Sequence, residues 1–444
     1  MRSCQLLVLS VLTATVLAGA VPVSAQTQQP AARTLTLRDA LTLAAQQNLQ
    51  LRVAAFEVQI ARSQLAQARA AAAGQLNAQA SYTRSAEQAP TTVVIGGSPV
   101  TIPAASPNVY DLRFVFQYPL YTGGRIEAQV AMAEANLKGA EAALQRQIQQ
   151  VLFDVRQAYF RVLLARAGLQ VAERGIQQAT ESLRVARVRV SAGASPRFDE
   201  IQADVVLANA RQIEVRSRNS VSLAVQGLNA LLGLPLDTPL VLTDRFVSET
   251  VQTPLDRLIQ AALTNRPELG ELQAREAAAQ AAIHLAESGA RPTVGATTTG
   301  SYGNTGGFFS TGASANWSVT LAATLNVFDG GLTRERVREA RLRLEQLKAV
   351  EAQTRQGIEL DVRQAFLNLQ AAREELAGAD ALVAQANEAL RIALVRFQSG
   401  VGTNLEVISA QATSSQAEAE RAQALFNYSV ARAALERAVG GDVR

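Results

Sequence analysis

Two hydrophobic periods alternate along this chain. Across residues 125–190 apolar side chains return every three or four positions, as Leu152, Val155, Tyr159, Val162 and Leu163 show, the spacing of one face of an α-helix. Residues 332–397 read the same way. Proline, which costs a helix interior about 3 kcal/mol, is absent from residues 120–195 and 293–444. At about 1.5 Å per residue each predicted helix is roughly 100 Å long, too long for a compact domain. Glycine-bearing turns end both. The first holds Gly193, Ala194 and Ser195, the second Gly400, Val401 and Gly402, and return helices follow over residues 197–232 and 404–439. Each pair predicts an antiparallel helical hairpin.

Elsewhere the period is two. Tyr110, Leu112, Phe114, Phe116 and Tyr118 make one apolar face, with Asp111, Arg113, Val115 and Gln117 opposite. Trp317, Val319, Leu321, Ala323, Leu325 and Val327 repeat that face. Two weaker strands precede these, one through Leu76 and Tyr82, the other through Val294 and Tyr302 with a slip near Gly300. Four strands of about ten residues with one lipid-ready face are the pattern of a transmembrane β-barrel. The joining segments, residues 83–109 and 303–315, are rich in Gly, Pro, Ser and Thr and read as loops. Single helices are expected over residues 37–73 and 255–287, and a connector over residues 237–254.

The chain is written twice. At an offset of 207, Asp154, Val155, Arg156, Gln157 and Ala158 fall on Asp361, Val362, Arg363, Gln364 and Ala365. Tyr121, Thr122, Gly123 and Gly124 fall on Phe328, Asp329, Gly330 and Gly331. A period so long is a duplicated half-protein, not a solenoid unit of about 20–50 residues. The expected organisation is a signal peptide (1–25), a first repeat (26–236), the connector (237–254) and a second repeat (255–444).

Composition narrows the function. Arg2, an apolar run and Val23, Ser24 and Ala25 read as a cleaved secretory signal. Cys4, the only cysteine, leaves with it, so no disulfide or thiol nucleophile is expected. The net charge of +4 comes from bases alternating with Glu, Asp and Gln along helices. That is a solvated face, without the aromatic–basic platform of a nucleic-acid binder. The lone His284 and the single methionine outside the signal, Met132, offer no metal or catalytic cluster. No cofactor and no enzymatic activity are expected.

Four strands cannot close alone, and an open edge in lipid leaves backbone groups unsatisfied. Two chains would supply eight strands and three chains twelve; the pattern does not choose. The duplicated order of helix, two strands, very long helix, tip and return helix resembles the TolC family of outer-membrane channels over essentially the whole mature chain. Its most specific residues are Tyr121 to Gly124, Phe328 to Gly331, and the second tip from Gly400 to Val407. The resemblance implies an α+β membrane protein of the Gram-negative outer membrane: a homotrimer with a twelve-stranded β-barrel and a periplasmic α-barrel of long helical hairpins. It implies docking, through the tips at Gly193, Ala194, Ser195, Gly400, Val401 and Gly402, to a periplasmic adaptor and so to an inner-membrane pump.

The resemblance also implies a periplasmic gate, with Glu406 where a gate acid is expected and Asp199 at the equivalent place in the first tip. A ring of such acids would favour cations and narrow the pore. An acid inside a helix N-terminus is equally favoured by the helix dipole, so both readings stand. Ser409 and Gly402 depart from members that carry a second acid and a basic latch there. Tyr110, Tyr118, Tyr302 and Trp317 are expected at the membrane–water interfaces. The function implied is an exit duct for small amphiphiles, with protein secretion as the alternative. A soluble periplasmic adaptor would lack the strand pairs, and a coiled-coil scaffold would show a stricter heptad.

Overall fold

The computed structural model describes residues 33–87, 89–102, 106–246, 253–304 and 313–441; the expected signal peptide lies outside them. A short strand β1 (Arg33–Leu35) leads into α1 (Leu37–Gln47) and α2 (Leu49–Ala70). Strand β2 (Gln75–Arg84), a hairpin of β3 (Thr91–Ile95) and β4 (Ser98–Ile102), and β5 (Asn108–Tyr121) follow. The long helix α3 (Arg125–Ser191) and its return α4 (Arg197–Leu232) complete the first half. After β6 (Leu240–Leu242) the second half runs α5 (Leu255–Asn265), α6 (Pro267–Glu287), β7 (Thr293–Gly303), β8 (Ser314–Thr324), α7 (Leu332–Gln398) and α8 (Asn404–Val439). Helices α3 and α7 both have 67 residues, and α4 and α8 both have 36.

Four expectations are corrected. The helices expected over residues 37–73 and 255–287 are each broken, at Asn48 and Arg266. Residues 83–109 contain the β3–β4 hairpin, turned by Gly96 and Gly97, both at positive φ, as a two-residue hairpin turn requires. The connector contains β6, which pairs in parallel with β1. No slip occurs at Gly300; the irregularity lies instead in β5 between Pro119 and Tyr121, where proline removes a ladder donor. In addition, β8 stops at Thr324, short of Leu325 and Val327.

The main sheet is antiparallel in the order β2-β5-β7-β8. Where a strand feeds a long helix, Gly123 and Gly124 have φ of +64° and +88°, and Gly330 and Gly331 +66° and +90°. Gly123 is doubly constrained, since a Cβ there would lie 2.8 Å from Cβ of Arg291.

The helices form a single-layer wall. Helix α3 has α2 and α4 along one side and α6 and α8 along the other; α7 packs on α6 and α8. Near the sheet the order is therefore α2-α3-α6-α7, and near the tips α4-α3-α8-α7. Residues of α3 are accordingly mostly half-buried, while α7 buries one stripe, including Ile358, Val362, Leu369 and Leu376, and exposes most of the rest.

Midway along the wall the short elements gather. Val151, Val155, Tyr159 and Val162 of α3 meet Leu43 of α1, Leu51 of α2 and Leu228 and Leu232 of α4. Each such side chain contributes about 1.5–3 kcal/mol when fully buried. At the break, buried Asn48 accepts from the amides of Gln50 and Leu51 and donates to the Leu231 carbonyl at 2.7 Å. It thus caps α2 and ties it to the end of α4. Arg266 occupies the matching break and pairs with Glu268 and Asp361, both at 3.0 Å.

Tyr159 shows why the halves differ. Its hydroxyl donates within 3.1 Å of the Leu35 carbonyl and of Asp244 Oδ2, and Asp244 also accepts from the Leu37 amide at the start of α1. Burial, and then the Asp244 charge, push the phenol far above its usual range, so it stays a neutral donor. The equivalent position is Phe366, in the half without a β1–β6 clamp. Tyr159→Phe is expected to cost about 1–2 kcal/mol, read as a lower melting temperature by circular dichroism.

Across α6 and α7, burial and then the Glu351 carboxylate push Glu276 above the usual carboxylate range. Its stabilising contribution is complete below the ordinary value of 4.5 and is lost as pH rises through the raised one. Glu276→Gln should therefore raise the melting temperature at neutral pH and leave it unchanged at pH well below the ordinary value.

Candidate functional site

The chain offers two features suited to a function: the hairpin tips and a sheet exposed on both faces. At the first tip Gly193 adopts φ +73° and the Ala194 amide reaches back to the Arg189 carbonyl at 2.8 Å, which closes α3 with a left-handed cap. Ser195 and then Pro196 lead into α4. At the second tip Gly400 has φ +81°, and the amides of Val401 and Gly402 both donate to the Arg396 carbonyl, at 3.1 and 3.0 Å. A Cβ on Gly402 would lie 3.0 Å from Arg396 and Phe397 backbone atoms, so any larger residue there would push the turn open by a few tenths of an ångström. Apolar side chains stand exposed here: Phe198 at 68 %, Val401 at 72 % and Leu405 at 62 %.

Glu406 lies in the first turn of α8. Its amide donates to the Thr403 hydroxyl at 3.2 Å, and that hydroxyl donates to Glu406 Oε1 at 3.4 Å. Arg396 Nε sits 3.4 Å from Oε2. The side chain is thus held within its own hairpin by a cap and an exposed ion pair. Asp199 is half-buried in the first turn of α4, and the adjacent Glu200 pairs with Arg187 at 3.2 Å.

One tip contact joins the two hairpins. Arg189 and Arg396 occupy the same place in the two repeats, yet Arg189 reaches across to the second hairpin. It donates to the Phe397 carbonyl at 3.0 Å, and its guanidinium lies 3.9 Å from the centre of the Phe397 ring. A cation at a helix C-terminus and over an aromatic face is doubly favoured. An arginine in the last turn was the available signal; its partner was not.

On the sheet, Tyr110, Tyr118, Tyr302 and Trp317 are 53, 40, 57 and 80 % exposed. Tyr82 and Tyr110 are directly paired and stacked, with ring centres 6.0 Å apart. Tyr302 lies opposite Leu112, and Trp317 opposite Gly300. Tyr82, Tyr110, Tyr302 and Trp317 sit at the loop end of the sheet, whereas Tyr118, beside Phe116, sits at the helix end. Eight residues of strand separate Tyr110 from Tyr118, about 27 Å at 3.4 Å per residue. Both ends of β5 thus carry an exposed tyrosine on the same face of the sheet. Among the described residues no helix is long and apolar enough to cross a membrane, and no cluster of three His, Cys, Asp or Glu converges as metal ligands would. His284 is an exposed side chain 3.5 Å from Glu287.

The edges of the wall carry the exposed apolar side chains. Leu49, Val53, Phe56 and Ile60 lie along α2, Ile201, Val205 and Ile213 along α4, and Leu342, Leu360 and Leu367 along α7. The middle helices expose few large apolar residues, Val188 on α3 and Leu405 on α8 being those near the tips.

The outer membrane efflux protein family model matches residues 40–234 and 258–441. Protein CyaE of Bordetella pertussis is 27 % identical over 296 residues, 66 % of this chain and 62 % of its own length. Outer membrane protein OprJ of Pseudomonas aeruginosa is 28 % identical over 57 % of this chain and 53 % of its own. The matches thus span less than two thirds of either relative. A solved membrane protein from Pseudomonas aeruginosa superposes with a TM-score of 0.75 at 25 % identity, covering 91 % of this chain and 90 % of that one. The chain belongs to the outer membrane efflux protein family, the TolC-like outer-membrane factors.

Proposed function

We propose that this chain is the outer-membrane exit duct of a tripartite export system. Three copies close a barrel of twelve strands in the membrane and continue it as a hollow helical barrel into the periplasm. The observation that carries this reading is the placement of the exposed apolar side chains. They lie on the outward face of the sheet, where lipid would cover them, and on the edge helices α2, α4 and α7, where neighbouring copies would. A single-layer sheet open on both faces has no core of its own, and lipid with ring closure supplies one.

The tips are the docking surface for a periplasmic adaptor and, through it, an inner-membrane pump, with Phe198, Val401 and Leu405 as the apolar contacts. The cargo is small amphiphilic molecules, in keeping with the efflux description of the family. Passage is passive, and selectivity rests with the pump. In a strain lacking the gene, a fluorescent amphiphilic dye should accumulate in the cells and restoration of the gene should clear it. Unchanged accumulation, together with loss of a secreted protein from the medium, would favour protein secretion instead.

Glu406 is the gate carboxylate of the second tip, and Asp199, in the first turn of α4, is its counterpart in the first tip. Conversion of Glu406 to Gln removes a negative charge from each copy and weakens the hold of Arg396 on the start of α8. Single-channel recording of Glu406→Gln should show a higher conductance and reduced cation preference. A conductance and selectivity equal to the parent's would leave Glu406 with its capping role alone.

A further inference from the structure

We propose that the joint between β8 and α7 binds an anionic phospholipid, its phosphate held by Arg334 and Arg338 and its acyl chains lying along Val327. The inference rests on the duct reading above, which puts this end of the sheet at the periplasmic edge of the lipid.

A cavity of about 830 Å³ lies here, between the end of α6 and the start of α7. Four guanidiniums line it: Arg291, Arg334, Arg338 and Arg341. The last three follow at helical spacing and share one face of α7. Like charges so spaced destabilise a helix, and a bound anion offsets the repulsion. The nearby carboxylates do so poorly. Arg334 and Arg338 stand 3.5 and 3.8 Å from Glu335, and Arg341 and Arg291 share Glu287 at 3.5 and 3.7 Å. All four distances exceed those of a hydrogen bond, about 2.7–3.2 Å. Further along the same helix, Arg355 and Arg363 each hold a carboxylate at 2.7 Å. Asp329 and Glu345, the other acids lining the cavity, are engaged elsewhere. Asp329 accepts from the amides of Gly331 and Thr333 at 2.9 and 2.8 Å, and Glu345 pairs with Lys348 at 2.8 Å. The start of α7 is thereby already capped, and the arginines are what the cavity offers a ligand.

The duplication supplies an internal control. The first strands correspond at an offset of 218, because Gln75 faces Gln117 as Thr293 faces Thr324, and the long helices at 207. Arg291, Arg334 and Arg338 then fall on Ala73, Glu127 and Ala131. Glu287 and Arg341 fall on Arg69 and Glu134, which pair at 2.7 Å with the charges reversed. Helix packing therefore accounts for Arg341. The first half builds the same joint without the other three, so the fold does not require them.

A lipid fits better than a free anion. Val327, the last position of the outward row begun at Trp317, is 88 % exposed and lines the cavity beside Val337. Phe328 and Leu332 next to it are exposed as well. The apolar face of the sheet thus runs directly into the basic cluster, the profile of a site for an anionic headgroup at a membrane surface. The planar fork of arginine also suits phosphate oxygens better than a point charge does.

The test uses phosphatidylglycerol and phosphatidylcholine carrying a fluorophore on the acyl chain, added to the full chain in detergent and followed by anisotropy. The parent should bind phosphatidylglycerol saturably, and about tenfold or more tightly than phosphatidylcholine. Arg334→Gln with Arg338→Gln should abolish that preference and leave the melting temperature unchanged. Arg336→Gln with Arg343→Gln, which removes the same charge from residues that do not line the cavity, should keep the preference. Equal loss in both variants would mean diffuse attraction to a basic helix, and equal binding by all three proteins would mean no site; either overturns the proposal. A lowered melting temperature in the first variant overturns it too, by giving these arginines a structural role. So does displacement of the lipid by inorganic phosphate, which would make this a site for a free anion. Conductance and oligomer mass of the same preparation score the duct reading separately: a conducting trimer without lipid preference overturns the lipid site alone.

Discussion

Gly233→Val is expected to destabilise the folded chain by about 3–5 kcal/mol. Gly233 ends α4 with φ +71°, and a Cβ there would lie 2.6 Å from the Gln47 carbonyl oxygen. The left-handed conformation alone costs an L-residue about 1–2 kcal/mol. The clash adds to it because the obstacle is backbone, held by the break at Asn48. Gly193 separates the two effects: it has φ +73° but nothing within 4 Å of its Cβ position. Gly193→Val should therefore show only the smaller cost. Thermal melts of the detergent-solubilised protein followed by circular dichroism compare them. Equal losses in the two variants would mean that the α4 end and the α1–α2 break do not meet as described. The second half repeats the arrangement, with Gly440 at φ +80° and a Cβ position 3.2 Å from Asn265 backbone atoms.

Arg266→Ala should have the next largest effect, about 2–4 kcal/mol. The guanidinium side chain is 9 % exposed and holds Glu268 and Asp361. Its loss leaves Glu268 partly buried without its cation and unties the α5–α6 break from α7. Asp361 is 54 % exposed, so its share is small after solvent screening. Adding Glu268→Gln should recover part of the loss, because it removes the stranded charge. A double variant no more stable than Arg266→Ala would show that packing, not charge, is what Arg266 supplies.

Much of this architecture is legible in the residues. The ends of α3 and α7 fall within one residue of the expected limits, because glycines at both ends interrupt a helical period that nothing else disturbs. The outward sheet face is equally plain, since alternation leaves no second arrangement for Tyr110, Leu112, Phe114, Phe116 and Tyr118. The breaks at Asn48 and Arg266 escaped because the apolar spacing runs through them. Asn48 as a helix cap and Pro267 at a first helical position were nonetheless visible signals. The Gly96–Gly97 turn between β-branched runs likewise marked the β3–β4 hairpin.

Other features were beyond sequence reasoning. Three-residue strands such as β1 and β6 are too short to show a period, and their pairing depends on where α1 and Asp244 come to rest. At the tips, Arg189 and Arg396 are identical in the repeat and differ in partner, because only Arg189 has a second hairpin beside it on that side. Duplication predicts shared geometry; it does not predict which copy of a residue faces a neighbour.

Several copies are expected to enclose a conducting path through the outer membrane. Single-channel recording in a planar bilayer, with the oligomer mass determined in the same detergent, tests it most directly. A trimer with a small, cation-selective conductance that Glu406→Gln enlarges is the expected result. A monomer that leaves the bilayer insulating would contradict it.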